Sequence, residues 1–149
     1  MTTIAYKDRI IAYDSRICSD NTISDDSFEK RIIRDNVSFF MCGSICDYDL
    51  FIEAYFSENF KASRLVNVGA FIVSDGVLYE GSFAEDGFFW KSKLRLNNFH
   101  AIGTGVDHAL TAMDMGASAK EAIKWAMKRD CKTGGRIRIY FLQREKKDQ

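Results

Sequence analysis

Apolar residues come in short runs separated by polar pairs through the first forty positions, the spacing of strands rather than helices. Residues 3–5 and 10–13 are two such runs with Lys7-Asp8 as the turn between them; 28–33 and 37–41 are a second pair, hinged at Arg34-Asp35-Asn36. The polar stretch 19–27 separates the pairs. At Gly43-Ser44 the period changes. Ile45, Tyr48, Ile52 and Tyr55 recur every three or four residues, which predicts a helix from Ser44 to residues 61–63, with Ser44 as N-cap and Asp47 as first-turn acid. Strands return at 66–73 and 77–79 around an Asp75-Gly76 turn, and the aromatic-rich residues to Trp90 continue that sheet. After Ala101-Ile102-Gly103-Thr104-Gly105 a second helix runs to about Met115 and is broken by Gly116. Ser118 and Glu121 form a capping box for a third helix over 119–129. Alternation over 136–142 predicts a half-buried strand, with Ile137, Ile139 and Phe141 on one side and Arg136, Arg138 and Tyr140 on the other.

Hairpin-joined strands argue for antiparallel sheets with helices packed outside them, not for an alternating parallel fold. The 149 residues, 46% of them hydrophobic, suffice for one domain over 1–149 with a single well-formed core. Lys plus Arg and Asp plus Glu are 21 each, so no global charge favours nucleic acid or an anionic membrane, and residues 144–149 mix both signs as a solvated tail does. No apolar run approaches the roughly 20 residues of a membrane span, and Lys7, Asp8 and Arg9 stand where a signal peptide is apolar. A cytoplasmic protein with free thiols at Cys18, Cys42, Cys46 and Cys131 is expected. Cys42 and Cys46 have no further ligands nearby, so no metal is expected, and Gly103-Thr104-Gly105 lacks the third glycine of a dinucleotide fingerprint. No cofactor is expected.

The candidate chemistry begins at Thr2. A methionine before a small residue is ordinarily removed during synthesis, which would leave Thr2 with a free α-amine. An N-terminal threonine then has its own base, with an unperturbed pKa of roughly 7.7 to 8.0.

Thr2-Thr3-Ile4, Asp14-Ser15-Arg16, Lys30, Cys42-Gly43-Ser44-Ile45-Cys46-Asp47, Ala101-Ile102-Gly103-Thr104-Gly105, Ala112-Met113-Asp114-Met115-Gly116-Ala117 and Asp130-Cys131-Lys132-Thr133-Gly134-Gly135 together resemble the ordered signature of the proteasome β-subunit and HslV peptidase family. The resemblance runs over nearly the whole chain. It implies an α+β fold, a four-layer αββα sandwich of two antiparallel sheets flanked by helices, and a threonine peptidase of the N-terminal nucleophile class. It further implies that Thr2 is the nucleophile, that Lys30 is a buried charge favouring its alkoxide-like form, and that Asp14 holds that lysine. Gly43 would offer its N–H as oxyanion hole, the glycine giving substrate room. Thr104, Asp130 and Thr133 would hydrogen-bond around the α-amine, with threonines where the family usually has serine. Ile17, Phe28, Ile32, Met41 and Ile45 would line an apolar pocket for the side chain before the cut bond.

The resemblance also implies a peptide or unfolded-protein substrate, a homo-oligomer and an unfoldase partner, with no role for nucleic acid or membrane. Where the family has two long helices, only 44–63 is available, so one helix is expected to be short or missing. The aromatics Tyr48, Phe51, Tyr55, Phe56 and Phe60 occupy more than one face of the remaining helix, so some are expected to meet another subunit. Two other functions stay open: a small-amide hydrolase of the same nucleophile class, and a non-catalytic assembly protein.

Overall fold

The computed structural model describes residues 2–143; Met1 and the 144–149 tail lie outside the described residues. In chain order the strands are β1 (Thr3–Lys7), β2 (Ile10–Tyr13), β3 (Ile17–Ser19), β4 (Thr22–Asp25), β5 (Arg31–Arg34), β6 (Val37–Gly43), β7 (Val68–Ser74), β8 (Val77–Phe83), β9 (Phe89–Lys93), β10 (His100–Gly103) and β11 (Arg138–Phe141). The helices are α1 (Tyr48–Tyr55), α2 (Val106–Asp114) and α3 (Ala119–Arg129). One antiparallel sheet has the order β10-β1-β2-β11, and a second runs β5-β6-β7-β8-β9 as a meander. β3 and β4 form a hairpin apart from both. No helix among the described residues is long and apolar enough to cross a membrane.

Turn chemistry sets the strand pairs. Asp8-Arg9, Asp35-Asn36 and Asp75-Gly76 all have positive φ at both positions, the conformation that a two-residue hairpin between right-twisted strands requires. The first turn is therefore Asp8-Arg9, one residue later than read, and Lys7 belongs to β1. Arg9 tolerates its φ of 64° where its backbone and side chain clasp the chain end: its carbonyl accepts from Leu142 N–H at 2.7 Å and its Nε donates to Leu142 O at 3.2 Å.

Three apolar clusters hold the molecule together. Ile4, Tyr6, Ile11 and Tyr13 of the first sheet meet Phe40, Phe71, Val73 and Leu78 of the second. On the first sheet's other face, Ala5 and Ala12 lie under Ala109, Met113, Ala122 and Ile123 of α2 and α3. The small alanines admit the helices close to the strands. On the far side of the second sheet, Phe39, Met41, Ala70 and Ile72 are covered by Tyr48, Phe51 and Ile52 of α1.

Several elements differ from the sequence reading. The helix from Ser44 begins as a single 3-10 turn, Ile45–Asp47, and α1 ends at Tyr55. Neither Ser44 nor Asp47 caps it through a side chain. The Asp47 carboxylate instead accepts from the Asn67 N–H at 3.1 Å and pairs with Arg64 at 2.7 Å, tying down the segment that follows α1. Most of the α1 aromatics are satisfied within the chain: Tyr48 and Phe51 are buried, and Phe51 packs edge-on against Phe83 of β8 and Phe89 of β9. Only Phe56, beyond the helix end, is exposed.

The β3–β4 hairpin runs into the polar stretch 19–27, and β10 is a strand where the sequence pattern predicts none. β11 alternates as expected, and its covered side is that of Arg138 and Tyr140. Tyr140 pairs with Ile11 and stacks near Phe40 at 5.2 Å between the sheets, while Ile139 and Phe141 face the helix side where α3 does not reach them. The third helix has the predicted bounds, with Ser118 Oγ accepting from the Glu121 N–H at 3.2 Å.

Candidate active site

The register of the first sheet assembles the site. Pairing of Ile4 with Tyr13 in the β1–β2 hairpin carries Asp14 to the end of β1, where its N–H donates to Thr3 O at 3.4 Å. Pairing of Thr3 with Gly103 in β10 brings Thr104 beside Thr2, and the Thr104 hydroxyl lies 3.4 Å from Thr2 O. Lys30 stands just before β5, where its carbonyl accepts from Met41 N–H at 3.2 Å, and its side chain runs inward to Thr2.

Thr2, Asp14 and Lys30 are buried together. Lys30 Nζ donates to Thr2 Oγ1 and, at 2.7 Å, to Asp14 Oδ1, and Thr2 Oγ1 also hydrogen-bonds Asp14 Oδ1. Asp14 accepts further from Thr3 N–H at 3.2 Å and from Gly134 N–H at 2.9 Å. Burial raises the Asp14 pKa above the usual carboxylate value and lowers that of Lys30, each opposed by the other's charge. The two groups thus depend on one another for their ionisation.

A second group lies alongside. Asp130 ends α3 and its Oδ2 accepts from the Thr104 and Thr133 hydroxyls, both at 2.6 Å, while Thr133 shares a 2.7 Å hydrogen bond with Thr3 Oγ1. Burial raises the Asp130 pKa, but the two hydroxyls and the Lys132 N–H outweigh it and leave the carboxyl below its ordinary value. Gly105 leaves room for this cluster, since a Cβ there would meet Thr3 Oγ1 and Thr133 Oγ1.

Gly43 ends β6 with φ of +105°, and a Cβ on it would strike the Asn67 carbonyl. The glycine is therefore demanded by the backbone of Asn67, independently of any room for substrate. Asn67 is itself fixed, accepting from Ser44 N–H at 2.8 Å and donating to Asp47. A cleft of about 270 Å³ opens beside Gly43, lined by Ile17, Cys18, Ser19, Ser44 and Ile45. Of the five residues assigned to an apolar pocket, only Ile17 and Ile45 are on this cleft. Met41 is fully buried under α1, and Phe28 and Ile32 pack half-buried against the same cluster, Met41 and Ile32 from the helix-covered side of β6 and β5 and Phe28 from the connection before β5.

Sequence reasoning missed Thr3, Arg16, Asn67 and Gly134. Arg16 pairs with Asp26 at 2.8 Å and donates to Cys131 O at 2.9 Å, joining the β3–β4 hairpin to the loop after α3. Its place in Asp14-Ser15-Arg16, beside a site residue, was the available signal. His100 stacks on Tyr6 at 5.9 Å between centroids, and His108 is exposed on α2.

No protein-family model and no curated protein matches the sequence. Solved structures do match the fold. Thiobacillus denitrificans BPH is 16% identical with a TM-score of 0.64 alone and 0.62 in complex with epoxomicin, over 95% of this chain and 98% of that one. Eukaryotic HslV from Trypanosoma brucei is 17% identical with a TM-score of 0.67, over 93% of this chain and 97% of that one. The chain thus has an α+β fold of the HslV type across almost its whole length, and the likeness to HslV read from the sequence is present in the structure.

Proposed function

We propose that this chain is a proteasome-like N-terminal nucleophile hydrolase that cleaves peptides through Thr2. The reading rests on one observation above all: the Thr2 hydroxyl lies in a buried hydrogen-bonded triangle with Lys30 Nζ and the Asp14 carboxylate. The HslV-type fold supports it, as does the sequence of three apolar clusters, helices on sheet, sheet on sheet, and sheet under helix, which fits a four-layer αββα sandwich.

Removal of Met1 frees the Thr2 amine. Thr2 Oγ1 then attacks the substrate carbonyl carbon and its proton passes to that amine, while Lys30 stabilises the developing negative charge on the oxygen. The tetrahedral oxyanion is held by backbone N–H donors, with that of Gly43 as the first candidate. Collapse breaks the C–N bond, the ammonium returns the proton to the leaving amine, and an ester on Thr2 remains. Water, deprotonated by the same amine, attacks the ester and releases the acid. Asp130, Thr104 and Thr133 orient the first residues of β1 and keep the amine in place. Enclosure in a homo-oligomer supplied by an unfoldase in the cytoplasm would restrict such an open-ended site to unfolded chains.

The test uses purified protein and an epoxyketone such as epoxomicin, whose ring-forming adduct needs both the hydroxyl and the free amine. Intact mass should show loss of Met1 and addition of one inhibitor, and Thr2→Ala should abolish the adduct. A confirmed Thr2 terminus that forms no adduct and cleaves no peptide would leave a non-catalytic protein.

A further inference from the structure

The formal charge of zero conceals a segregation. Residues 120–143 have seven lysines and arginines against two acids, so the remainder of the chain is correspondingly acidic. Lys120, Lys124 and Lys128 recur every fourth residue and therefore form one row along α3. With Met127, Gly135 and Ile137 they line a groove of about 550 Å³ between α3 and the segment that leads into β11. Glu121 faces the opposite side of α3, towards α2. Among the described residues no carboxylate pairs with any of the three lysines; Lys128 instead lies over the Trp125 ring at 4.5 Å. Beyond the groove, Ile139 and Phe141 of β11 continue the side of Ile137, 39% and 69% exposed. The groove is thus basic along one wall and apolar along the other.

The chain also presents the complementary shape. Between Ile17 and Ser27 there are three aspartates, Asp20, Asp25 and Asp26, and no lysine or arginine. Asp26 is engaged by Arg16, but Asp20 and Asp25 have no ion pair among the described residues. Every residue of β4 is exposed, including Ile23 at 49%. A two-stranded hairpin outside any larger sheet is marginally stable in water. Among the described residues, this one projects an acidic, apolar strand with nothing over it.

We propose that the β3–β4 hairpin of one copy docks on the α3–β11 groove of a second copy, with Ile23 against Ile139 and Phe141 and with Asp20 and Asp25 against the lysine row. Charge complementarity selects this occupant, since the acidic partner that the groove requires is encoded in the same chain. β4 and β11 each pair on only one side among the described residues, so a strand edge is available on both. The contact also has a consequence for the site: Ile17, Cys18 and Ser19 of this hairpin line the cleft beside Gly43, so docking would fix one wall of that cleft.

Sedimentation equilibrium of the full chain, from micromolar to about 100 µM, tests this without reference to activity. Wild type should self-associate, and raising salt should weaken it because the charges are exposed. A triple variant, Lys120→Glu with Lys124→Glu and Lys128→Glu, should lower the association constant at least tenfold, and so should Asp20→Lys with Asp25→Lys. Each carries repulsion at its own contact; mixed in equal amounts, the two variants should restore association, because the lysine groove of one meets the aspartate hairpin of the other and the glutamate groove meets the lysine hairpin. Phe141→Ser, which leaves the charges intact, should weaken assembly independently. A monomer throughout this range, variants that assemble like wild type, or a mixture that stays apart would each overturn the proposal, whatever the fate of the peptidase reading.

Discussion

Lys30 Nζ lies 2.7 Å from Asp14 Oδ1, and neither side chain is accessible to solvent. Burial acts against the charge on both, so each is tolerable only beside the other. Asp14→Asn keeps the shape and an acceptor for the Gly134 N–H but strands the ammonium. Breaking a buried pair in this way costs roughly 3 to 5 kcal/mol, which for a domain of this size lowers the thermal midpoint by roughly 6 to 20 °C. Calorimetry of Asp14→Asn reads it directly, and a midpoint equal to wild type would show that the pair is not buried as described.

Gly43 and Gly116 separate two reasons for a glycine. Both have positive φ, +105° and +99°, but a Cβ on Gly43 meets the Asn67 carbonyl whereas one on Gly116 meets nothing within 4 Å. Gly116→Ala should cost only backbone strain, of order 1 to 3 kcal/mol. Gly43→Ala should cost more, because Asn67 is held from both sides by Ser44 and Asp47 and cannot retreat. Urea unfolding of the two variants makes the comparison; equal losses would mean that the Asn67 contact is not felt.

Glycines and turns of this kind explain why so much was legible in the sequence. Asp75-Gly76 and the Ser118–Glu121 cap state their conformation locally, and both were read with the right neighbours. Thr2, Asp14 and Lys30, which the fold brings together, are singled out only by ordered motifs, since nothing local distinguishes Lys30 from a solvated lysine. What failed was decided at a distance. Met41 alternates like a pocket residue, yet its side of β6 is the one covered by α1. Alternation alone leaves open which side of β11 is covered, and the apolar side with Ile139 and Phe141 is exposed because the helices above stop short of that edge strand. Asp47 was read as helix chemistry and is instead a clasp on Asn67, twenty residues further along.

Acid should expose the role of Asp130. Its folded pKa is depressed, so it contributes stability above its unfolded value near 3.9, and that contribution is lost as pH falls through the lower folded value. Asp14, raised by burial, acts in the opposite sense over the acid range. Asp130→Asn should therefore flatten the fall in stability as the pH drops below about 4, without altering the contribution of Asp14. Thermal midpoints of the two proteins across that range decide it, and parallel curves would show that Thr104 and Thr133 do not hold the carboxylate as described.

The cleft beside Gly43 sets the expected cleavage preference. Ile17 and Ile45 are its apolar walls, Ser19 and Ser44 add hydroxyls, and no charged side chain lines it. A charged residue entering it would lose hydration without gaining a partner. Cleavage after Leu, Phe or Tyr should then exceed cleavage after Asp or Arg in a peptide library. The walls are not equivalent: Ile45 is 42% exposed at the mouth, whereas Ile17 is half-buried at the foot of β3. Ile17→Ala should deepen the cleft and favour larger aromatic side chains over Leu by roughly tenfold, the scale that small volume changes in an apolar pocket produce. Ile45→Lys should instead admit Asp and Glu, because the ammonium would supply the missing partner at the entrance. A library profile dominated by acidic or basic residues in wild type, or unchanged in both variants, would place the side chain before the cut bond somewhere other than this cleft.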